Sequence, residues 1–139
     1  MSISVPNILV VDDSKAILIV MEAILNELGV SNKVTKCLSA QQALTHVTDD
    51  INFYDIVFTD LNMPEMDGME FIRKLGELNC TGAVVIISEM DHKVINLAAN
   101  LARHSNIHLV ANLAKPVQLS QVKTVIQKAK HLAVHTDLS

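Results

Sequence analysis

Short apolar runs alternate along this chain with segments whose apolar positions recur every three or four residues. The first run, Ile8–Val11, ends in Asp12-Asp13 and reads as a strand buried on both faces. Ser14 is placed to cap a helix in which Ile17, Val20, Met21, Ile24 and Leu28 make one apolar face, with Gly29 closing it. Residues 32–37 read as a second strand and residues 40–48 as a helix with Ala43, Leu44 and Val47 inward. A third strand over 54–60 again ends in an aspartate, Asp60. A loop with Asn62, Pro64, Asp67 and Gly68 leads to a helix ending about Leu78, with Phe71, Ile72 and Leu75 inward. Residues 83–87 form the clearest buried strand. Helical spacing over 93–102, a strand over 107–111 and a last helix from Leu119 to near Leu132 complete the pattern.

Strands that alternate with crossover helices imply a parallel sheet covered on both faces. The expected fold class is α/β, a doubly wound five-stranded sheet of flavodoxin-like type. Right-handed crossovers make the order 2-1-3-4-5 a common solution, with ligands bound at the carboxyl ends of the strands where the order reverses. That order puts strands 1 and 3 side by side.

The chain has 139 residues, which suits a single domain over 1–139. Its core is expected over about 7–132, with 133–139 a tail or the start of a linker. Half of the residues are hydrophobic but only 3% are aromatic, so an aliphatic core is expected. The net charge of -4 and the lack of a basic patch argue against direct nucleic-acid binding. No apolar run reaches the roughly 20 residues of a spanning helix, and the start has no charge pattern of a secretion signal. Cys37 and Cys80 suit reduced thiols better than a disulfide framework or metal site. A soluble cytoplasmic domain is the expectation.

The carboxylates carry the chemistry. Asp12, Asp13 and Asp60 fall at equivalent ends of adjacent buried strands, where they repel each other and lose solvation. A hard divalent cation such as Mg²⁺ offsets both, and a backbone carbonyl after Asp60 could add a further ligand. Lys115 reaches the same rim from the fifth strand and can pair with Asp60 or with anionic oxygens placed on it. Ser88, after the fourth strand, can donate to such an oxygen. The set matches phosphoryl transfer, with Asp60 the nucleophile and Asp12 and Asp13 metal ligands. Taken singly, each residue has a plainer role: Asp13, Asp60 and Ser88 as caps, Lys115 as a solvated cation.

Asp12-Asp13, the stretch Asp60-Leu61-Asn62-Met63-Pro64-Glu65-Met66-Asp67-Gly68, Ser88 and Lys115-Pro116 together resemble the CheY-like receiver domain of two-component response regulators. The resemblance covers about residues 7–132. It implies that Asp60 accepts a phosphoryl group from a sensor histidine kinase or histidine phosphotransfer protein. It also implies Mg²⁺ held by the side chains of Asp13 and Asp60 and the backbone carbonyl of Asn62, with Asp12 acting largely through water. Ser88 and Lys115 would bind the phosphoryl oxygens, the Lys115-Pro116 bond would be cis, and Gly68 would permit a tight turn. No enzymatic turnover is implied beyond self-phosphorylation and autodephosphorylation. Two positions depart from the family pattern. Glu89 stands where a small residue follows the hydroxyl, and Asn112 stands where an aromatic precedes the lysine by three. Asn62 and Met90 occupy the positions that help set the rate of phosphoryl loss, and neither supplies a strong base.

The family's phosphodonor partner docks near the first helix, where Ala16, Ile17 and Leu18 offer an apolar surface. The fourth helix, fifth strand and fifth helix form the output face, read here as polar and suited to a downstream effector domain or protein and to a transient homodimer. After residue 132 only 133–139 remain, which fits a stand-alone receiver or the amino-terminal part of a longer regulator. His131 and His135, at i,i+4 spacing, read as solvated histidines. A degenerate receiver that binds partners constitutively is the alternative, and a metal-dependent phosphatase a more distant one. A flavin-binding domain fits poorly, because Asp12-Asp13 would repel a cofactor phosphate.

Overall fold

A computed structural model describes residues 5–50, 53–89 and 91–138, with the side chains of residues 32 and 132–138 outside the description. The elements run β1 (Ile8–Val11), α1 (Lys15–Glu27), β2 (Val34–Cys37), α2 (Ala40–Asp49), β3 (Ile56–Asp60), α3 (Gly68–Glu77), β4 (Ala83–Ser88), α4 (His92–His104), β5 (His108–Ala114) and α5 (Leu119–Leu138). The strands form one parallel sheet in the order β2-β1-β3-β4-β5, as the alternation of patterns predicts. Val11 lies opposite both Cys37 and Thr59, Asp60 opposite Ile87, and Ser88 opposite Ala114. The register therefore brings the ends of β1, β3, β4 and β5 to one rim.

Side-chain alternation splits the core into two layers. Leu9, Val11, Val57, Val84 and Ile86 pack against α2, α3 and α4 through Ala43, Val47, Phe71, Leu75 and Ala98. Ile8, Val10, Phe58, Val85 and Ile87 pack against α1 and α5 through Leu18, Met21, Leu25, Val122 and Ile126. β1, β3 and β4 are buried on both faces, which is why they read as unbroken apolar runs. The core is not wholly aliphatic. Phe58 and Phe71 are its largest fully buried side chains, one on each face of the sheet, and Tyr54 is also buried. Burying one such ring contributes about 1.5–3 kcal/mol.

Several boundaries differ from the sequence pattern. Residues 31–33 form a short 3-10 turn, so β2 begins at Val34. β3 begins at Ile56 rather than at Tyr54, whose hydroxyl instead donates to Thr35 Oγ1 at 3.0 Å. α4 gains a residue or two at each end. β5 continues to Ala114, beyond the expected stop at 111, because its inner edge stays paired with β4 while Asn112 faces solvent. α5 continues past Leu132 to Leu138. No helix among the described residues is long and apolar enough to cross a membrane.

α1 turns a different face inward than expected. Leu18, Met21 and Leu25 are buried, Ile17, Ile24 and Leu28 are partly so, and Val20 is exposed beside Ile19, which is 68% exposed. Residues 16–21 are apolar without a break, so packing against α5 and the sheet decides which of them is covered. Ser14 caps α1 by accepting from the Ile17 N–H, and Gly29 ends the helix with φ +74°.

Candidate functional site

β1 and β3 deliver the acidic residues to the rim. Asp12 sits directly after β1, its N–H donating to the Cys37 carbonyl at 3.1 Å, and is fully buried. Asp60 closes β3 and is 4% exposed, whereas Asp13 is exposed at the mouth. One carboxylate oxygen from each of the three lies within 4.8 Å of the others. Lys115 Nζ lies 3.1 Å from Asp12 Oδ2 and 3.3 Å from Asp60 Oδ2, with a side chain only 20% exposed. The Lys115 N–H donates to the Ser88 carbonyl at 3.0 Å, tying the loop after β5 to the end of β4, and the Lys115-Pro116 bond is cis. Ser88 is 4% exposed.

Two backbone amides hold the carboxylates. Ser14 N–H donates to Asp12 Oδ1 at 2.9 Å, and Asn62 N–H donates to Asp60 Oδ1 at 3.3 Å. Both are two-residue Asx turns, which start the loops that leave β1 and β3. Asp12 Oδ2 accepts no well-aligned hydrogen bond among the described residues, and Lys115 reaches it as an ion pair at 3.1 Å. Burial raises the pKa of Asp12, the Ser14 amide lowers it, the charge of Asp60 raises it and Lys115 lowers it, and the net direction is up. For Lys115, burial works against the charge, but Asp12 and then Asp60 outweigh it and the ammonium is held more tightly.

A buried carboxylate oxygen without a well-aligned hydrogen bond, beside two further carboxylates, fits a hard divalent cation. One lysine does not balance three acidic groups, and the excess negative charge favours such an ion. The chemical capacity of the rim is to hold a divalent metal and to present Asp60 next to an ammonium.

Gly68 has a different role from the tight turn expected. Its backbone is not in the left-handed region; a Cβ there would lie 2.1 Å from the Asp60 carbonyl oxygen and 2.7 Å from Leu61 Cα. The glycine lets the start of α3 press against the end of β3, and its N–H donates to the Leu61 carbonyl at 2.9 Å. The contact between Lys115 and Asp12 was also not anticipated from sequence, which pointed to Asp60. Asn112 is exposed on β5 and Glu89 is exposed beyond Ser88. Met90 lies outside the described residues, as does the side chain of His135. The face of α4, β5 and α5 is less polar than expected, because Leu97 on α4 is 59% exposed.

Comparison with known proteins agrees with this geometry. Residues 8–127 match the family model described as the response regulator receiver domain. Two-component response regulator ARR2 of Arabidopsis thaliana is 32% identical over 120 residues, 86% of this chain and 17% of that protein. Sensor protein EvgS of Escherichia coli O157:H7 is 29% identical over 133 residues, 92% of this chain and 11% of that protein. The chain thus spans a minor part of these relatives. Among solved structures, a response regulator receiver domain protein from Clostridium thermocellum superimposes with a TM-score of 0.78 at 27% identity, covering 93% of this chain and 97% of that one. The receiver domain of the Francisella response regulator 1452 shares the fold, with a TM-score of 0.76 at 22% identity over 92% of this chain and 98% of that one. With its aspartate cluster at the sheet rim, this chain belongs to the receiver-domain family of two-component response regulators.

Proposed function

We propose that the chain is a phosphorylation-controlled signalling switch in which Asp60 accepts the phosphoryl group. The observation that carries this reading is the meeting of Asp12, Asp13 and Asp60 within 4.8 Å beside Lys115. In the transfer, an Asp60 carboxylate oxygen bonds to phosphorus. The bond from phosphorus to the donor breaks, and the donor atom, a histidine nitrogen of a kinase or phosphotransfer protein, leaves with the electron pair. Lys115 stays charged and pairs with the phosphoryl oxygens, and the Ser88 hydroxyl donates to one of them. Asp13 and Asp60 would hold Mg²⁺ by their side chains and Asn62 by its backbone carbonyl, with Asp12 acting largely through water. The ion, when bound, supplies positive charge between the carboxylates and the incoming phosphoryl group.

The partners follow from the same reading. Exposed Ile19 and Val20 on α1, next to the acidic rim, suit a helix of the phosphodonor protein. α4, β5 and α5, with exposed Leu97, suit a downstream effector or a transient homodimer. Free, buried Cys37 and Cys80 agree with a reducing cytoplasm. Residues 1–139 act as one receiver unit.

The test is incubation with acetyl phosphate and Mg²⁺ followed by intact-mass measurement. A gain of about 80 Da that is absent with chelator and absent in Asp60→Asn supports the switch. An unmodified, folded chain points instead to constitutive partner binding. Turnover of free phosphoesters would favour a phosphatase.

A further inference from the structure

Glu89 stands at the rim without a partner. It follows Ser88 directly, so its Cα lies about 3.8 Å beyond that of Ser88. Asp60 is opposite Ile87 in the sheet. Strand spacing then places the Cα of Glu89 about 8 Å from that of Asp60. Ser88 is buried, while Glu89 is exposed and forms no hydrogen bond or ion pair among the described residues. Asp91, two residues on, is engaged differently: its carboxylate accepts from the N–H groups of Lys93 and Val94 and caps α4. Lys93, the nearest lysine or arginine along the sequence, makes no ion pair with Glu89. The carboxylate therefore adds to the charge of Asp12, Asp13 and Asp60, with which Lys115 is paired.

We propose that Glu89 is a specificity-determining residue that disfavours small anionic phosphodonors at Asp60 by charge repulsion. The inference rests on the phosphoacceptor reading above. In the step concerned, the bond between phosphorus and the acetate oxygen of acetyl phosphate breaks, acetate leaves with the electron pair, and the Asp60 oxygen takes its place on phosphorus. The donor approaches as a dianion. With the charges separated by about the same distance as these Cα atoms, one negative charge disfavours a dianion about fivefold in a water-like dielectric. The effect fades as the Debye length contracts from about 20–30 Å in dilute buffer to a few ångströms near molar salt. A protein donor escapes the penalty when it brings a cation to pair with Glu89.

The test compares the native chain with Glu89→Gln, which keeps the size and removes the charge, and Glu89→Lys, which reverses it. Phosphorylation rates are read by intact mass, with acetyl phosphate (a dianion) and phosphoramidate (a monoanion), in dilute buffer and in high salt. In dilute buffer, Glu89→Gln should speed acetyl phosphate about fivefold and phosphoramidate about twofold. Glu89→Lys should go further, and high salt should bring all three chains together. Equal rates for native and Glu89→Gln in dilute buffer, or a gain independent of salt and donor charge, would overturn the proposal while leaving Asp60 as acceptor. Failure of both donors to label any of the chains would overturn the acceptor reading and this inference together.

Discussion

Replacing Gly68 by alanine adds one methyl group where β3 meets α3. The added carbon would stand 2.1 Å from the Asp60 carbonyl oxygen and 2.7 Å from Leu61 Cα, whereas real contacts stay above 3.0 Å. Both neighbours are backbone atoms, so no side chain can rotate away. Relief requires the start of α3 and the end of β3 to separate by about 1 Å, with loss of the Gly68–Leu61 hydrogen bond. Overpacking of this kind costs about 1–3 kcal/mol, and the better helix propensity of alanine returns less than about 1 kcal/mol at the first turn. A net loss of about 2 kcal/mol lowers the melting temperature of a chain this size by about 4–8 °C. The functional cost is larger in proportion, because a displacement of about 1 Å at a reacting group can slow transfer up to a hundredfold. Thermal denaturation and the rate of labelling by acetyl phosphate measure the two effects. Gly29→Ala is the control: its φ of +74° imposes about 1 kcal/mol of strain, nothing lies within 4 Å, and labelling should be normal. A Gly68→Ala protein with native melting temperature and native labelling rate would refute the close-approach argument.

Four further outcomes follow from the site and its surroundings. Because burial raises the pKa of Asp12, its stabilising contribution is fully present below the ordinary carboxylate value of 3.8 and is lost as pH rises through the raised value; Asp12→Asn should therefore melt higher than the metal-free native chain at neutral pH, with the gap closing in acid. Mg²⁺ at ten times its dissociation constant should stabilise the native chain by about 1.4 kcal/mol and Asp12→Asn by much less, as read by melting with and without the ion. Burial pushes the Cys37 thiol up to about 11, so iodoacetamide at pH 8 should modify it about a hundredfold more slowly in the folded than in the unfolded chain, as followed by peptide mass; equal rates would contradict the burial. Ile19→Lys should leave labelling by acetyl phosphate unchanged and slow transfer from a phosphorylated partner protein at least tenfold, whereas equal slowing of both would tie the effect to the fold rather than to docking.

Asp12, Asp60, Ser88 and Lys115 were legible in the sequence for one reason. Each ends or follows an apolar run, and parallel pairing must bring such ends to one rim. What the pattern could not rank was a choice among equals. Residues 16–21 of α1 are all apolar, so only the position of α5 decides that Leu18 goes in and Val20 stays out. Asn112 looked like the far side of a strand end, yet polar residues persist on an edge strand such as β5, where one face meets water. The scarcity of aromatic residues suggested an aliphatic core, but a low count says nothing of placement, and Phe58 and Phe71 anchor the two layers. The pairing of Lys115 with Asp12 Oδ2 and the pressure of Gly68 on the Asp60 carbonyl arise from tertiary approach, which no local spacing encodes.

Trapping the phosphorylated residue bears most directly on the central claim that Asp60 is the attacked carboxylate. After incubation with acetyl phosphate and Mg²⁺, borohydride reduces an acyl phosphate to an alcohol, and peptide sequencing by mass spectrometry locates it. Reduction confined to position 60, and lost when the ion is chelated, is the expected result. Reduction at Asp12 or Asp13, or a label at position 60 that forms equally well without a divalent cation, would contradict the account.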